Sequence, residues 1–212
     1  LLGASIGANF WLGGLLEARR GSPAGRTLLL LGVLGNLAVL GWFKYAGFIA
    51  GNWYALAGID ASWPQLALPL GISFITFQKI AYLVDVSRGV PAERDLVRWA
   101  RFVSFFPQLI AGPIVHFRQI MPAFDALPAR RELASDLAVG LSIFAIGLAK
   151  KVLIADPLGA HVGPVFDAPA GAAPPDLLAA WTALMAYTFQ LYFDFSGYSD
   201  MALGLGRMFG IP

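Results

Sequence analysis

The sequence predicts an all-α, polytopic membrane protein, and three observations predict it. Of its 212 residues, 58% are hydrophobic and only 13% charged, against roughly 25% charged residues in a soluble domain. The apolar residues fall into runs that approach the length of a membrane span, about 17–25 residues. Lys and Arg gather in some of the intervening loops and are missing from others, the asymmetry expected of a chain threaded through a bilayer.

The first run, Leu1 to Leu16, looks cut short, since the chain opens on Leu1-Leu2-Gly3-Ala4 without an initiator Met or a basic leader. A second runs from Thr27 to Ala50 and a third from Leu66 to Val84. The fourth, Phe102 to Val115, is short and interrupted by Pro107, Gly112 and Pro113. A fifth runs from Leu137 to Ala155, a sixth from Leu177 to about Phe195, and Met201 to Ile211 is a further short apolar piece. The loop Pro157 to Pro175 is rich in Pro, Ala and Gly. No fixed-period repeat or soluble second domain is visible, so residues 1–212 read as a single, partial membrane domain truncated at both ends. Gly3/Gly7, Gly47/Gly51 and Gly206/Gly210 have the spacing of close helix contacts, but 24 glycines make such pairs common by chance.

Basic residues orient the runs. Arg19, Arg20 and Arg26 follow the first; Arg88, Arg94, Arg98 and Arg101 follow the third; Arg118, Arg130 and Arg131 follow the fourth. Residues 51–65 and 157–176 contain neither Lys nor Arg. The basic loops are therefore expected in the cytoplasm and the other two outside. Phe102 to Val115 has basic loops on both sides and should enter and leave on the same side, as a re-entrant or interfacial segment lined by protein. Just before it, Arg94, Arg98 and Arg101 form a charged strip, with Leu96, Val97 and Trp99 away from it. That spacing predicts an amphipathic helix on the cytoplasmic surface.

The formal charge of +2 is too small to argue for nucleic acid, and with no Cys there is neither a disulfide nor a thiolate metal site. No His/Asp/Glu cluster has metal-ligand spacing, so no metal and no bound cofactor is expected.

Polar residues inside apolar runs carry the functional signal, because a carboxylate in a bilayer is costly and normally faces a protein-lined path. The last stretch, Phe189-Gln190-Leu191-Tyr192-Phe193-Asp194-Phe195-Ser196-Gly197-Tyr198-Ser199-Asp200-Met201, sets Asp194, Ser196, Tyr198 and Asp200 among aromatics. Leu68-Pro69-Leu70-Gly71-Ile72-Ser73-Phe74-Ile75-Thr76-Phe77-Gln78 leads to Tyr82-Leu83-Val84-Asp85. Phe102-Val103-Ser104-Phe105-Phe106-Pro107-Gln108-Leu109-Ile110-Ala111-Gly112-Pro113-Ile114 and Gly147-Leu148-Ala149-Lys150-Lys151-Val152-Leu153-Ile154-Ala155-Asp156 complete four ordered blocks. Together they resemble the membrane-bound O-acyltransferase (MBOAT) family, in the branch of the alginate O-acetyltransferase membrane subunit and the D-alanyl transfer protein of teichoic acid synthesis. The match runs from about Leu66 to Pro212; before it there is only a loose likeness around Phe43-Lys44-Tyr45.

The resemblance implies part of a ring of tilted helices around a tunnel. It implies transfer of an acyl group, expected to be acetyl, from a cytoplasmic thioester donor (acetyl-CoA or an acyl carrier protein). The acceptor would be an extracytoplasmic polysaccharide or its acetylation partner, as in alginate O-acetylation. Expected partners are membrane lipid, the thioester donor and periplasmic polysaccharide-acetylation proteins, in the multi-pass setting of a bacterial cell inner membrane. The family's catalytic His is expected beyond Pro212, in a Trp-Arg-Arg-Trp-His-like context, so no catalytic residue is assigned within the chain and the chain alone is expected to be inactive. The rival is a transporter or noncatalytic scaffold, which composition, polar intramembrane residues and helix breakers fit equally well.

Acyl transfer to a hydroxyl needs a general base and donors for the oxyanion. The weak alternative to a downstream base is His116, whose bland reading is a surface or headgroup-contacting residue; His161 is weaker still. Gln78, Asp194, Ser196, Tyr198 and Asp200 are candidates to line the tunnel, with Asp194 and Tyr198 in a supporting role. Their bland readings are helix bridging for Asp194 and Asp200 and interfacial anchoring for Tyr198. Phe195-Ser196-Gly197-Tyr198-Ser199 is not a Gly-x-Ser-x-Gly nucleophile elbow. For Lys150 and Lys151, snorkelling to the external interface is the plainer account.

Overall fold

A computed structural model describes residues 2–61, 63–64, 67–109, 116–126, 132–169, 171 and 173–211, of which 108 and 109 without their side chains. All regular structure among the described residues is helical. They fall into two compact units, one built from α1 to α5 and the beginning of α6, the other from the end of α6 and α7 to α9.

In the first unit, α1 (Leu2–Ala18) turns into α2 (Pro23–Ala57) at Ser22, which is extended and accepts a hydrogen bond from the Gly25 N–H at 3.0 Å. Pro23 occupies the first helical position, where its missing N–H costs nothing. The helix ends at Gly58, left-handed at φ 64°, whose N–H returns to the Tyr54 carbonyl. At 35 residues α2 outruns the Thr27–Ala50 estimate. Its last turns carry Asn52, Trp53 and Tyr54, which lower hydropathy without breaking a helix. The reverse holds for α3 (Ile72–Ser87), which starts after the expected Leu66. Pro69 disfavours helix at Leu68, and Gly71, at φ 67°, turns the chain into α3. Its 16 residues rise about 24 Å, less than the roughly 30 Å of a hydrocarbon core.

Asp95 caps α4 (Leu96–Val103), accepting from Val97 N and Arg98 N at 2.8 and 3.3 Å. The helix is amphipathic, but the buried face differs from the expected one. Trp99, Phe102 and Val103 are buried, whereas Leu96 and Val97 are exposed. One hundred degrees per residue puts positions 99, 102 and 103 on one stripe, so Trp99 is in phase with the residues that follow it. The stripe packs on Tyr82 of α3 and Phe117 of α6 (Phe117–Ala126): ring centroids lie 4.2 Å apart for Tyr82–Trp99, 5.6 Å for Tyr82–Phe117 and 5.0 Å for Phe102–Phe117. The Trp99 indole donates to the Ile6 carbonyl of α1 at 2.9 Å. Beyond Ser104 only the single turn α5 (Phe106–Leu109) forms. The expected break in the fourth run is present there, while the proposed re-entrant path through 110–115 lies outside the described residues.

In the second unit, α7 (Leu133–Ala149), a π-helical segment (Lys150–Ala155) and α8 (Asp156–Phe166) form one continuous helix of 34 residues. The fifth run was expected to end at Ala155. Pro157 does not stop it because the preceding turn is wide: the Asp156 N–H bonds to the Lys151 carbonyl, five residues back. The sixth run and the Met201 piece likewise merge into α9 (Leu177–Met208), capped by Asp176, which accepts from Ala179 N at 2.7 Å. The polar signature interrupts hydropathy and not the helix.

Among the described residues, two helical stretches, Pro23–Ala57 and Leu133–Phe166, are long and apolar enough to cross a membrane. Their burial is inverted relative to a water-soluble fold. Along α7 the buried residues are Asp136, Gly140 and Gly147, while Leu137, Leu141, Ile146 and Leu148 are exposed. Small and polar groups inside with leucines outside is the pattern that lipid favours and water does not.

Candidate functional site

The close approach of α7 and α9 places the site. A Cβ on Gly147 would lie 2.5 Å from the Gly197 carbonyl oxygen, and one on Gly197 would lie 2.7 Å from that of Gly147. Seven residues along, Gly140 and Gly204 repeat the reciprocal contact, 2.6 Å each way. These are not the glycine pairs whose sequence spacing stood out. Gly3, Gly7 and Gly51 have open space around them.

Contact at Gly147–Gly197 brings the π segment against the polar signature. The Lys150 ammonium donates to Asp200 Oδ2 at 2.6 Å and to Ser196 Oγ at 3.1 Å. Lys151 lies 2.7 Å from Asp156 Oδ1 and 2.8 Å from Asp194 Oδ1. The lysines do not snorkel: both sit near the middle of a 34-residue helix and spend their charge on carboxylates. At the other end of the glycine contacts, Arg207 pairs with Asp136 at 3.0 Å. Asp194 and Asp200 thus bridge helices, and Ser196 joins the Lys150 pair. Tyr198 is half-buried and makes no hydrogen bond among the described residues. The Asp194 carboxylate is 51% exposed, which leaves room for another group beside it.

The remaining candidates lie in the first unit. Gln78 is buried on α3, its amide nitrogen without a partner among the described residues. His116 Nδ1 lies 2.7 Å from Asp85 Oδ2. A carboxylate accepts only, so Nδ1–H is the donor in this pair. The imidazole is 42% exposed. His161 is exposed on α8, its Nδ1 3.3 Å from the Pro157 carbonyl. Neither His is hydrogen-bonded to Asp194, Ser196, Tyr198 or Asp200. Among the described residues no group of three or more His, Asp or Glu could hold a metal ion.

What sequence reasoning missed are the partners. Lys150 and Lys151 carried a usable signal, since two cations in one apolar run and two carboxylates in the next call for mutual neutralisation. Asp85 was part of a quoted block, but nothing in its spacing joined it to His116, 31 residues away.

Apolar helices that bury charge and expose leucine define an all-α membrane protein with an ionic network inside a helix pair. The sequence profile of MBOAT, the membrane-bound O-acyltransferase family, matches residues 93–212, and the chain belongs to that family. It is 43% identical, over 95% of its length and 40% of the other, to the protein named "Probable alginate O-acetylase AlgI" of Azotobacter vinelandii. It is 38% identical to the peptidoglycan O-acetyltransferase of Helicobacter pylori, over the whole chain and 44% of that protein. A teichoic acid D-alanyltransferase of Streptococcus thermophilus is 31% identical over 67% of the chain and 34% of its own length. The chain therefore spans about two fifths of the curated relatives it matches.

Proposed function

We propose that this chain is part of an O-acyltransferase that moves an acyl group, acetyl in our reading, from a cytoplasmic thioester to an extracytoplasmic polysaccharide or its acetylation partner. The single observation that carries the reading is 43% identity along 95% of the chain to a relative named for alginate O-acetylation. The ionic network on α7 to α9 fits it, because a thioester and a hydroxyl meeting inside a bilayer need a polar, protein-lined place to react. The donor is acetyl-CoA or an acetylated carrier protein. The hydroxyl oxygen forms the new ester bond to the acyl carbon, the C–S bond breaks, and the hydroxyl proton ends on the leaving thiolate. Periplasmic polysaccharide-acetylation proteins act as partners, and the protein lies in the bacterial inner membrane as one multi-pass domain of which residues 1–212 are a part.

A general base must sit beside the acceptor, and neither His116 nor His161 is bonded to the network. We place that base outside these residues, with Asp194 and Tyr198 supporting it and Gln78, Ser196 and Asp200 lining the path. The test reconstitutes the full-length protein in vesicles with radiolabelled acetyl-CoA or acetyl carrier protein inside and polysaccharide plus partner proteins outside. Label on the polysaccharide is the expected result. Polysaccharide export or solute movement without label transfer would replace this reading with a transporter.

A further inference from the structure

A second polar site lies in the first unit. Between the α1–α2 turn and the end of α3 is a cavity of about 170 Å³, lined by Arg20, Arg26, Gly21, Gly25, Leu16 and Leu29 among others. Arg20 is fixed in place: its Nε donates to the Val86 carbonyl at 3.1 Å and one Nη to the Val90 carbonyl at 2.8 Å. Its other terminal nitrogen has no partner among the described residues. The Arg26 backbone N–H bonds the Ser22 carbonyl at 3.2 Å, and its guanidinium makes no hydrogen bond or ion pair among the described residues. The Glu17 carboxylate pairs with Arg94 at 2.5 Å, and among the described residues no carboxylate pairs with either lining arginine. The cavity also lies at the N-terminus of the 35-residue α2, the positive end of its dipole.

Two guanidinium groups lining one cavity suit a phosphate. Size decides which phosphate. Pockets for small molecules generally measure about 300–1,000 Å³, so this one does not enclose a nucleotide. It does admit a single phosphodiester. Buried Leu16 and half-buried Leu29 add apolar wall, which a free phosphate has no use for and a glycerolipid does. The turn also carries Arg19, and its side of the membrane is the expected cytoplasmic one, where anionic lipid attracts basic segments. We propose that this cavity binds the phosphodiester of an anionic membrane phospholipid, with Arg20 as the fixed contact and Arg26 as the closing one. The inference rests on the membrane setting and is independent of acyl transfer.

The test uses the full-length protein purified from membranes in detergent and stripped of lipid. Binding of short-chain phosphatidylglycerol, inorganic phosphate and coenzyme A is followed by thermophoresis, with native mass spectrometry to count retained lipids. Phosphatidylglycerol should bind saturably, and Arg26→Gln should weaken it about tenfold, the scale of one lost charge-assisted hydrogen bond. Arg26→Lys should fall between, and Arg19→Gln, which does not line the cavity, should stay within about twofold of the parent. Because Arg26 holds no other described group, these variants should melt like the parent without lipid. Equal losses for Arg19→Gln and Arg26→Gln would reduce the site to general surface charge and overturn the proposal. Tighter binding of coenzyme A than of lipid, lost in Arg26→Gln, would overturn the lipid assignment in favour of a soluble phosphate ligand.

Discussion

At Lys151 one ammonium serves two carboxylates, Asp156 and Asp194, whereas Lys150 has Asp200 and the Ser196 hydroxyl. That asymmetry separates structural from functional roles. Asp194→Asn leaves Lys151 with Asp156, so the helix pair should hold. Asp200→Asn leaves Lys150 with a hydroxyl and an amide in place of its carboxylate, an uncompensated cation between the helices. In the full-length protein, Asp194→Asn should lower polysaccharide acetylation roughly tenfold, the scale of a lost charge-assisted hydrogen bond, at normal membrane levels. Asp200→Asn should lower the amount of protein itself. Ser199→Ala should do neither, since that hydroxyl bonds the Phe195 carbonyl of its own helix at 3.0 Å. Quantitative immunoblotting beside an acetyl-ester assay reads all three. Normal acetylation in Asp194→Asn would remove the functional role proposed for that carboxylate. The carboxylates were legible in the sequence because their cost in lipid singles them out. Their partners were not, because Lys150 meets Asp200 only through the register of two helices, 50 residues apart in the chain.

That register is a property of the element pair. Gly140 with Gly204 and Gly147 with Gly197 let the backbones touch, and the lysine pairs form one turn beyond the second contact. Gly147→Ala puts a methyl 2.5 Å from the Gly197 oxygen and 2.7 Å from Met201 N, both backbone, so the helices must part. The expected cost is about 1–3 kcal/mol, the usual range for overpacking, seen as a lower midpoint in mixed-micelle unfolding. Gly3→Ala, which meets nothing within 4 Å, should leave the midpoint unchanged. Equal midpoints for Gly147→Ala and the parent would show that the contact is not tight. Hydropathy located the cores of these helices but not their ends, because ends depend on caps and turns. Asp95 and Asp176 accept from their first-turn N–H groups, Gly58 closes α2, and the π segment carries the helix past Pro157. The shift of the buried α4 face towards Phe102 and Val103 has a similar origin: Trp99 is held by ring contacts to Tyr82 and Phe117, which come from other parts of the chain.

Across the whole molecule the ruling pattern is the placement of charge. Basic residues flank the runs in three loops, while residues 51–65 and 157–176 have none. With Asp60, Asp167 and Asp176 in those two segments, the positive-inside rule still assigns them outside, because acidic residues contribute little to it. The absence of Cys makes the assignment directly testable with single introduced cysteines. Arg88 and Ala134 are exposed and stand in or beside basic loops; Asp60 and Ala168 are exposed in the loops without Lys or Arg. Ala92 is unsuitable as a probe, being only 5% exposed. In intact cells an impermeant maleimide should label Asp60→Cys and Ala168→Cys once the outer barrier is opened. Arg88→Cys and Ala134→Cys should label only after the inner membrane is permeabilised. The expectation for the fourth run is decided by the same experiment: with Arg88 and Ala134 on one side, the run between them returns to the face it entered. Labelling of Arg88→Cys and Ala134→Cys from opposite faces would mean that the fourth run crosses, and the side assigned to residues 157–176 would then be reversed as well.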